Sequence, residues 1–238
     1  MKPVHIVIGA NYGDEGKGLL VDYLSSAMTS MGTRPVVVRH NGGAQAGHTV
    51  VTAPEGERHV FKHVGSGALV GASTYLSSFF VCNPILFRKE LEELMKLNVI
   101  PEVLVSHDSP VTTPYDVMIN QLVEQHRGDN RHGSVGVGFG ETIERAESLV
   151  YALKLQDLLT KPLFLHKLRV IKDQWVPERL AELGVNINQI SDEWRHYLQT
   201  EKIFTKFVEK IDKFLACVSP VTSNFLCLSD VIMIFEGA

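Results

Sequence analysis

The hydrophobic positions in the first part of the chain alternate between short apolar runs and glycine-rich turns. Val4–Ile8 is a largely apolar, β-branched run that stops at Gly9, which predicts a strand. Apolar residues then recur at helical spacing, at Leu20, Leu24, Ala27 and Met28. A second apolar run at 35–39 predicts another buried strand, which enters a glycine-rich turn at 41–49. Two loops therefore follow two early strands, and parallel sheets place their binding sites at such strand ends.

The later pattern predicts further strands and two helices. Strands are predicted at 59–64, 79–82, 103–106 and 231–235. One helix is predicted from Pro84 to Leu97, with Asn83 as its N-cap, and another from Pro114 to His126. His59 and His63 fall in an alternating strand, so we expect them on a sheet surface rather than in a metal site.

The second half of the sequence is mainly helical in its spacing. Gly133–Gly140 contains four glycines in eight residues, too many for a strand interior, and this predicts a loop. From Glu144 to about Lys213 the apolar spacing is helical, with breaks expected near Pro162, Pro177 and Gly184. We therefore expect the α/β fold class, with a mainly parallel sheet and glycine-rich nucleotide loops at strand ends. A single domain at 1–238 is expected to carry a helical insertion at about 142–215.

Composition and charge narrow the class of protein without naming a function. The chain has 238 residues, 45% of them hydrophobic, and a net charge of −4, which excludes a disordered or collagen-like protein and disfavours nucleic-acid binding by charge. Three cysteines without metal-ligand spacing favour a reducing, cytoplasmic location. The uncharged stretch 68–87 is broken by polar residues, so we expect no membrane span.

The sequence Gly13–Gly18 (GDEGKG) follows the first predicted strand and precedes the first helix. In that setting glycines let the backbone approach an anion, and free N–H groups at the helix start point at it. The stretch is not a P-loop, because Gly18 takes the place of the magnesium-binding Ser or Thr. A carboxylate among those N–H groups needs a further role, so Asp14 and Glu15 are candidates for holding Mg²⁺ or removing a proton. The alternative is that both acids only complement the helix dipole and that Lys17 is a solvated charge.

The second glycine-rich turn, NGGAQAGHT at 41–49, offers the imidazole of His48 to the same crevice. For His48 alone, a hydrogen-bonded loop histidine is the alternative. Together the two motifs resemble the adenylosuccinate synthetase family, whose signature pairs a GDEGKG loop with a downstream GGxxAGHT segment. The resemblance extends through 63–67, the helix at Asn83 and the sequence FEGA at 235–238.

The resemblance implies a C–N ligase of purine biosynthesis that joins inosine monophosphate (IMP) and L-aspartate at the expense of GTP, through a 6-phosphoryl intermediate. Asp14 matches the family's base, which takes the purine N1 proton, and would also contact Mg²⁺. Lys17 and His48 match the cation and the proton donor that the developing charge requires. The backbone carbonyl of Gly47 matches the family's second magnesium ligand. The resemblance also implies a homodimer.

Nucleotide binding is implied at Gly13, Glu15, Gly16, Lys17, Gly18, Gln45, Gly47, Ser134 and Val135. Gln45 stands where the family usually has Asn, so this amide is one methylene longer. Ser134 and Val135 replace two threonines, and Val135 cannot donate a hydrogen bond to a substrate phosphate. The arginine that a neighbouring family subunit supplies falls at Leu149, with Arg145 as a nearby candidate.

These departures keep other functions open. A phage-type relative of the family acts on deoxyguanylate (dGMP), which also admits ATP as the energy donor. A nucleotide-binding fragment without catalysis is a second alternative, and an α/β protein whose glycine loops are only structural turns is a third. Because family members continue beyond FEGA, we expect the chain to be part of a longer or split gene product. We expect neither nucleic acid nor membrane among the partners.

Overall fold

The computed structural model describes residues 3–11, 13, 15–52 and 56–238. The chain divides into two compact units. The first comprises Met1–Ser109 and Phe214–Ala238, and the second comprises Pro110–Lys213. The helical insertion expected at about 142–215 lies mostly in the second unit, which begins earlier along the chain. Among the described residues, no helix has the length and apolar character needed to cross a membrane.

A six-stranded parallel sheet forms the centre of the first unit. Its strands, in chain order, are β1 (Val4–Val7), β2 (Val36–Arg39), β6 (Ser73–Leu76), β8 (Val103–Ser106), β9 (Ser219–Val221) and β10 (Met233–Glu236). Two small sheets pair β3 (Gly42–Gly43) with β7 (Phe80–Val81), and β4 (His48–Val51) with β5 (Arg58–Phe61). The expected α/β class with a mainly parallel sheet is confirmed.

The sheet order β1-β10-β2-β6-β8-β9 brings distant segments side by side. Glu236 at the end of β10 is in register with Val7 of β1 and with Arg39 of β2. The carboxyl ends of the three strands, and the loops that follow two of them, therefore lie at one edge of the sheet.

Apolar side chains cover both faces of this sheet. On one face, Val7, Val37 and Ile234 pack with Val21 and Met28 of helix α1 (Lys17–Ser30). On the other, the ring of Tyr75 stacks on Phe225 of the short helix α10 (Phe225–Leu228), with centroids 5.6 Å apart. Helix α1 is thereby fixed beside the end of β1, which sets where the two ends of the connecting loop lie.

The second sheet-facing helix begins where the sequence predicts. Helix α2 spans Pro84–Lys96, and the side chain of Asn83 accepts from the backbone N–H groups of Ile85 and Leu86. Strand β6 was not predicted, because Ser73 and Thr74 make its sequence polar although the whole strand is buried.

The second unit is helical. Its helices are α3 (Pro114–Arg127), α4 (Phe139–Ala146), α5 (Leu155–Leu158), α6 (Lys161–Val170), α7 (Val176–Glu182) and α8 (Asp192–Gln199), and α9 (Glu201–Leu215) leads back to the first unit. The break expected near Pro177 is wrong, since the π-helical turn Ile171–Trp175 joins α6 to α7. Pro177 comes just after this π-helical turn, where the backbone hydrogen-bond pattern is already offset from that of an α-helix.

Candidate active site

The loop between β1 and α1 is shaped by glycine and closed by Glu15. Gly13 and Gly16 have φ angles of 110° and 76°, which side-chain-bearing residues rarely adopt. The Glu15 carboxylate accepts from the backbone N–H groups of Ala10 at 2.9 Å and Asn11 at 2.7 Å. The loop thus presents anion-binding N–H groups, and a carboxylate of the chain itself is bound to two of them.

Glycine at position 18 has a steric cause. A Cβ atom at Gly18 would lie 2.9 Å from the Cβ of His48, so glycine lets the first turn of α1 approach the start of β4. This close approach brings the GDEGKG loop and the second glycine-rich turn together.

The two loops line one cavity of about 730 Å³, within the size range of roughly 300–1,000 Å³ that is typical of ligand sites. The lining includes these sequence-predicted residues: Gly13, Glu15, Gly16, Lys17, Gly18, Gln45, Gly47 and His48. Asp14 lies outside the described residues, so its roles as base and metal ligand stay predictions. The cavity also reaches Ala238, which links the FEGA sequence to the same place.

His48 is held by a buried charged cluster that the sequence motifs did not reveal. Its Nδ1 atom lies 2.6 Å from Oε1 of Glu236 and 2.8 Å from Nη1 of Arg39. The backbone N–H of Ser66 donates to Oε2 of Glu236 at 3.1 Å, and the Ser66 hydroxyl donates to Oε1. Arg39, Ser66 and Glu236 are fully buried, while His48 is 8% exposed.

The electrostatics of this cluster favour an ionised Glu236. Burial alone would raise the pKa of its carboxyl, but Arg39, His48 and Ser66 together hold the pKa below its ordinary value. Arg39 also donates to the backbone carbonyl of Lys62 at 3.1 Å. The sequence does carry a weak signal for this pair, since Arg39 and Glu236 are each a charged residue that ends an apolar strand.

A second buried carboxylate, Glu90 on α2, holds the segment that leads to Ser66. It accepts from the backbone N–H groups of Lys62, His63 and Val64 at 2.9, 2.7 and 3.1 Å. Burial opposes ionisation, but hydrogen bonds with His59 and His63 and with the backbone lower the pKa of Glu90 to about 2. The expected sheet-surface location of His59 and His63 is wrong, because both rings are buried beside this carboxylate.

Ser134 and Val135 belong to the second unit, in the loop between α3 and α4. The carboxylate of Glu124 accepts from the backbone N–H groups of His132, Gly133 and Ser134 at 3.3, 2.9 and 3.2 Å. The hydroxyl of Ser134 accepts from Asn120 at 2.9 Å, and Val135 is exposed. In this glycine-rich loop, as in the first, backbone N–H groups donate to a carboxylate of the chain itself.

Comparison with known proteins identifies the family. The family model described as adenylosuccinate synthetase matches residues 6–227 of this chain. The chain belongs to the adenylosuccinate synthetase family. An adenylosuccinate synthetase from Chlorobium chlorochromatii is 32% identical over 222 residues, which are 92% of this chain and 46% of that protein. One from Borrelia duttonii is 29% identical over 211 residues, 87% of this chain and 47% of that protein. The chain thus spans about half the length of these relatives.

This chain has the fold of solved structures from the family. The fully ligated adenylosuccinate synthetase from Plasmodium falciparum matches with a TM-score of 0.68 and 19% identity, over 99% of this chain and 51% of that chain. The succinoaminodeoxyadenylate synthetase of cyanophage S-2L, solved with dGMP and with dATP as an energy donor, matches with a TM-score of 0.54 and 18% identity, with the same coverage. At these identities the likeness concerns the fold alone.

The arginine that the adenylosuccinate synthetase resemblance expects from a neighbouring subunit is not matched by Arg145. Arg145 is fully buried, and its guanidinium donates to Asp116 at 2.8 and 2.9 Å and to the carbonyls of Val111 and Tyr151. A side chain with these partners stabilises its own unit, so Arg145 does not fit the role of the arginine that a neighbouring subunit supplies. Leu149, where the resemblance places this arginine, is 98% exposed and carries no charge.

The donor chemistry of the cavity fits the magnesium ion that the adenylosuccinate synthetase family implies. Mg²⁺ prefers a few oxygen ligands from the protein together with substrate phosphates and water. Gly47, whose carbonyl the resemblance makes a magnesium ligand, lines the cavity, while Asp14 lies outside the described residues. In the described part of the chain, no group of three or more His, Cys, Asp or Glu side chains is arranged to hold a metal ion. A site completed by phosphate oxygens does not need such a group.

Proposed function

We propose that this protein acts as an adenylosuccinate synthetase, a GTP-dependent C–N ligase that joins IMP and L-aspartate. In this proposal the cavity between the two glycine-rich loops is where the phosphoryl group is transferred. The observation that carries the proposal is that Lys17 and His48, from separate motifs, line the same cavity. A cation and an imidazole at one anion-binding crevice are what phosphoryl transfer to a purine oxygen requires.

The chain's own residues divide the chemistry as follows. Asp14 takes the N1 proton of IMP, which makes the purine 6-oxygen a nucleophile toward the γ-phosphorus of GTP. The new O–P bond forms as the bond to the β,γ-bridging oxygen breaks, and Lys17 offsets the charge on the phosphoryl oxygens. The amine of aspartate then bonds to C6 as the C6–O bond breaks, and phosphate leaves with that oxygen. His48, as a protonated imidazole, donates a proton to the departing oxygen, and the attacking amine loses one to solvent. Gly47 and Asp14 would hold Mg²⁺, which supplies charge neutralisation to the phosphates.

Nucleotide selection is the part of this proposal that the sequence departures affect most. Gln45 lines the cavity in place of the family's asparagine, and Val135 has no hydrogen-bond donor on its side chain. Both changes fall at positions where the resemblance puts contacts to the acceptor nucleotide, so dGMP is kept as a second acceptor. The proposal also includes a homodimer and a cytoplasmic location, for which family membership is the support.

A product assay separates the acceptors. The purified protein is incubated with Mg²⁺, L-aspartate, either GTP or ATP, and either IMP or dGMP. Phosphate release is followed by ³¹P NMR, and the succinyl product is separated by chromatography. Adenylosuccinate formed from IMP supports the main proposal, and a succinyl product only from dGMP supports the phage-type reaction. A folded protein that turns over neither acceptor with GTP or ATP contradicts both.

A further inference from the structure

We propose that Glu236 is a positioning residue, which fixes the imidazole of His48 with its proton on Nδ1 and so leaves Nε2 as the nitrogen that meets a ligand. The tautomer follows from the geometry of the cluster, whereas its use in catalysis rests on the proposed function. Glu236 lies in the FEGA sequence that resembles the family, but that resemblance assigns it no role.

The position of the proton follows from what each neighbour can donate or accept. Arg39 has only N–H donors, so it can bond to Nδ1 only when Nδ1 carries a lone pair. An ionised Glu236 can only accept, so it can bond to Nδ1 only when Nδ1 carries a proton. The two contacts, at 2.8 and 2.6 Å, therefore exclude one another as hydrogen bonds to a single nitrogen.

The shorter contact decides between the two arrangements. At 2.6 Å, the Nδ1–Oε1 distance is that of a charge-assisted bond, and a bare Nδ1 there would set two lone pairs against each other. Arg39 has other acceptors, because its Nη1 lies 3.5 Å from Oε2 of Glu236 and its Nη2 donates to carbonyls of Lys62 and Ala46. The lowered pKa of Glu236 is consistent with a carboxylate that accepts from Nδ1.

The fold holds this carboxylate firmly. Glu236 ends β10, in register with Arg39 on the neighbouring strand, and Ser66 donates to both of its oxygens. Its side chain is fully buried, so water does not compete for Oε1. A carboxylate behind a histidine in this manner sets the tautomer and stops the ring from turning over.

The consequence is a defined nitrogen at the cavity. Since Nδ1 is bound to buried partners and His48 lines the cavity, Nε2 is left to meet a ligand there. With Nδ1 protonated, a bare Nε2 accepts from a donor group, whereas in the imidazolium form Nε2 also carries a proton and donates to a substrate oxygen. Replacement of the carboxylate by an amide removes this definition, because an amide can either accept from Nδ1–H or donate to a bare Nδ1. Both ring tautomers then become compatible with the same neighbour.

The test reads the tautomer directly, with no nucleotide present. Long-range ¹H–¹⁵N correlation spectra of the full chain, labelled with ¹⁵N-histidine, distinguish a protonated Nδ1 from a protonated Nε2, and His48→Gln assigns the signals. We expect His48 to show Nδ1–H in the wild type and a mixture of tautomers in Glu236→Gln. Glu57→Gln is the control, since Glu57 is exposed and lies outside the His48 cluster, and we expect it to leave the His48 signals unchanged.

Two results overturn the proposal, and one of them needs no variant. An Nε2–H tautomer of His48 in the wild type contradicts it even if Glu236→Gln fails to fold. An unchanged Nδ1–H pattern in a folded Glu236→Gln also contradicts it. If the ligase reaction is observed, Glu236→Gln should lower kcat by about 10²–10⁴-fold and leave the KM for GTP within about twofold. Absence of turnover with the expected spectra would refute the proposed function and leave the assignment of the tautomer intact.

Discussion

The backbone N–H of Asn11 donates to the carboxylate of Glu15 across 2.7 Å. Both residues line the cavity, so this bond places a negative charge where phosphate would bind. We predict that Glu15→Gln binds Mg²⁺–GTP about 2–5-fold more tightly at low salt, since the amide oxygen can still accept from Asn11 while the repulsion is removed. Isothermal titration at low and high salt measures the gain.

Glu57→Gln is the control for this change, because Glu57 is exposed and does not line the cavity. Weaker GTP binding by Glu15→Gln than by Glu57→Gln would show that the charge of Glu15 contributes to binding, against the prediction.

In the second unit, the carboxylate of Glu124 likewise accepts from backbone N–H groups, in the loop between α3 and α4. We predict that Glu124→Ala speeds amide hydrogen exchange at 132–134, because three backbone N–H groups lose their acceptor. Mass spectrometry of peptides over this loop gives the rate. Glu182→Ala removes an exposed glutamate of the same unit and should leave that rate unchanged. Equal exchange in both variants would mean that Glu124 does not order the loop.

Stability should depend on pH through Glu90. Its pKa is about 2 in the folded protein, against a reference value of 4.5, so its ionised form stabilises the fold above the reference pKa. This contribution, about 3 kcal/mol, is lost as the pH falls from about 4.5 toward 2. Urea unfolding at a series of pH values should show a gap between wild type and Glu90→Gln that narrows across this window. A gap of constant size would contradict the assignment.

The ion pair of Asp116 and Arg145 should matter for folding of the second unit. Both side chains are fully buried, so Asp116→Asn leaves an uncompensated guanidinium and should lower the free energy of unfolding by about 3–5 kcal/mol. Asp192→Asn weakens an exposed pair with Arg195 and should cost less than about 1 kcal/mol. Similar losses in the two variants, measured by urea unfolding, would contradict the account of Arg145 as a structural residue.

The sequence predicted those elements whose signals are local. Asn83 followed by Pro84 gives the start of α2, because capping depends on the next few residues only. Strand β6 was missed because its polar side chains are satisfied by distant partners. Thr74 accepts from the backbone of Gly65, and Ser73 donates to Glu102, and no short pattern announces such pairs.

The candidate site divides in the same way. Lys17 and His48 are found from their motifs, while the contact of His48 with Glu236 joins residues 188 positions apart. Strand β10 pairs between β1 and β2, and this brings Glu236 to His48. Hydrophobic spacing predicts where strands occur but not their order in the sheet. A charged residue at the end of an apolar strand is the one local sign of such a partner, and Arg39 shares it.

The central claim is that the cavity between the two glycine-rich loops binds nucleotide phosphates. Isothermal titration of IMP and of Mg²⁺–GTP into the wild type, Lys17→Ala and Lys89→Ala tests it most directly, since Lys89 is exposed on α2 and carries the same charge. We predict saturable binding to the wild type, at least about a tenfold loss of GTP affinity in Lys17→Ala, and no change in Lys89→Ala. Absence of binding to a folded wild type, or equal GTP affinity in the two variants, would contradict the claim.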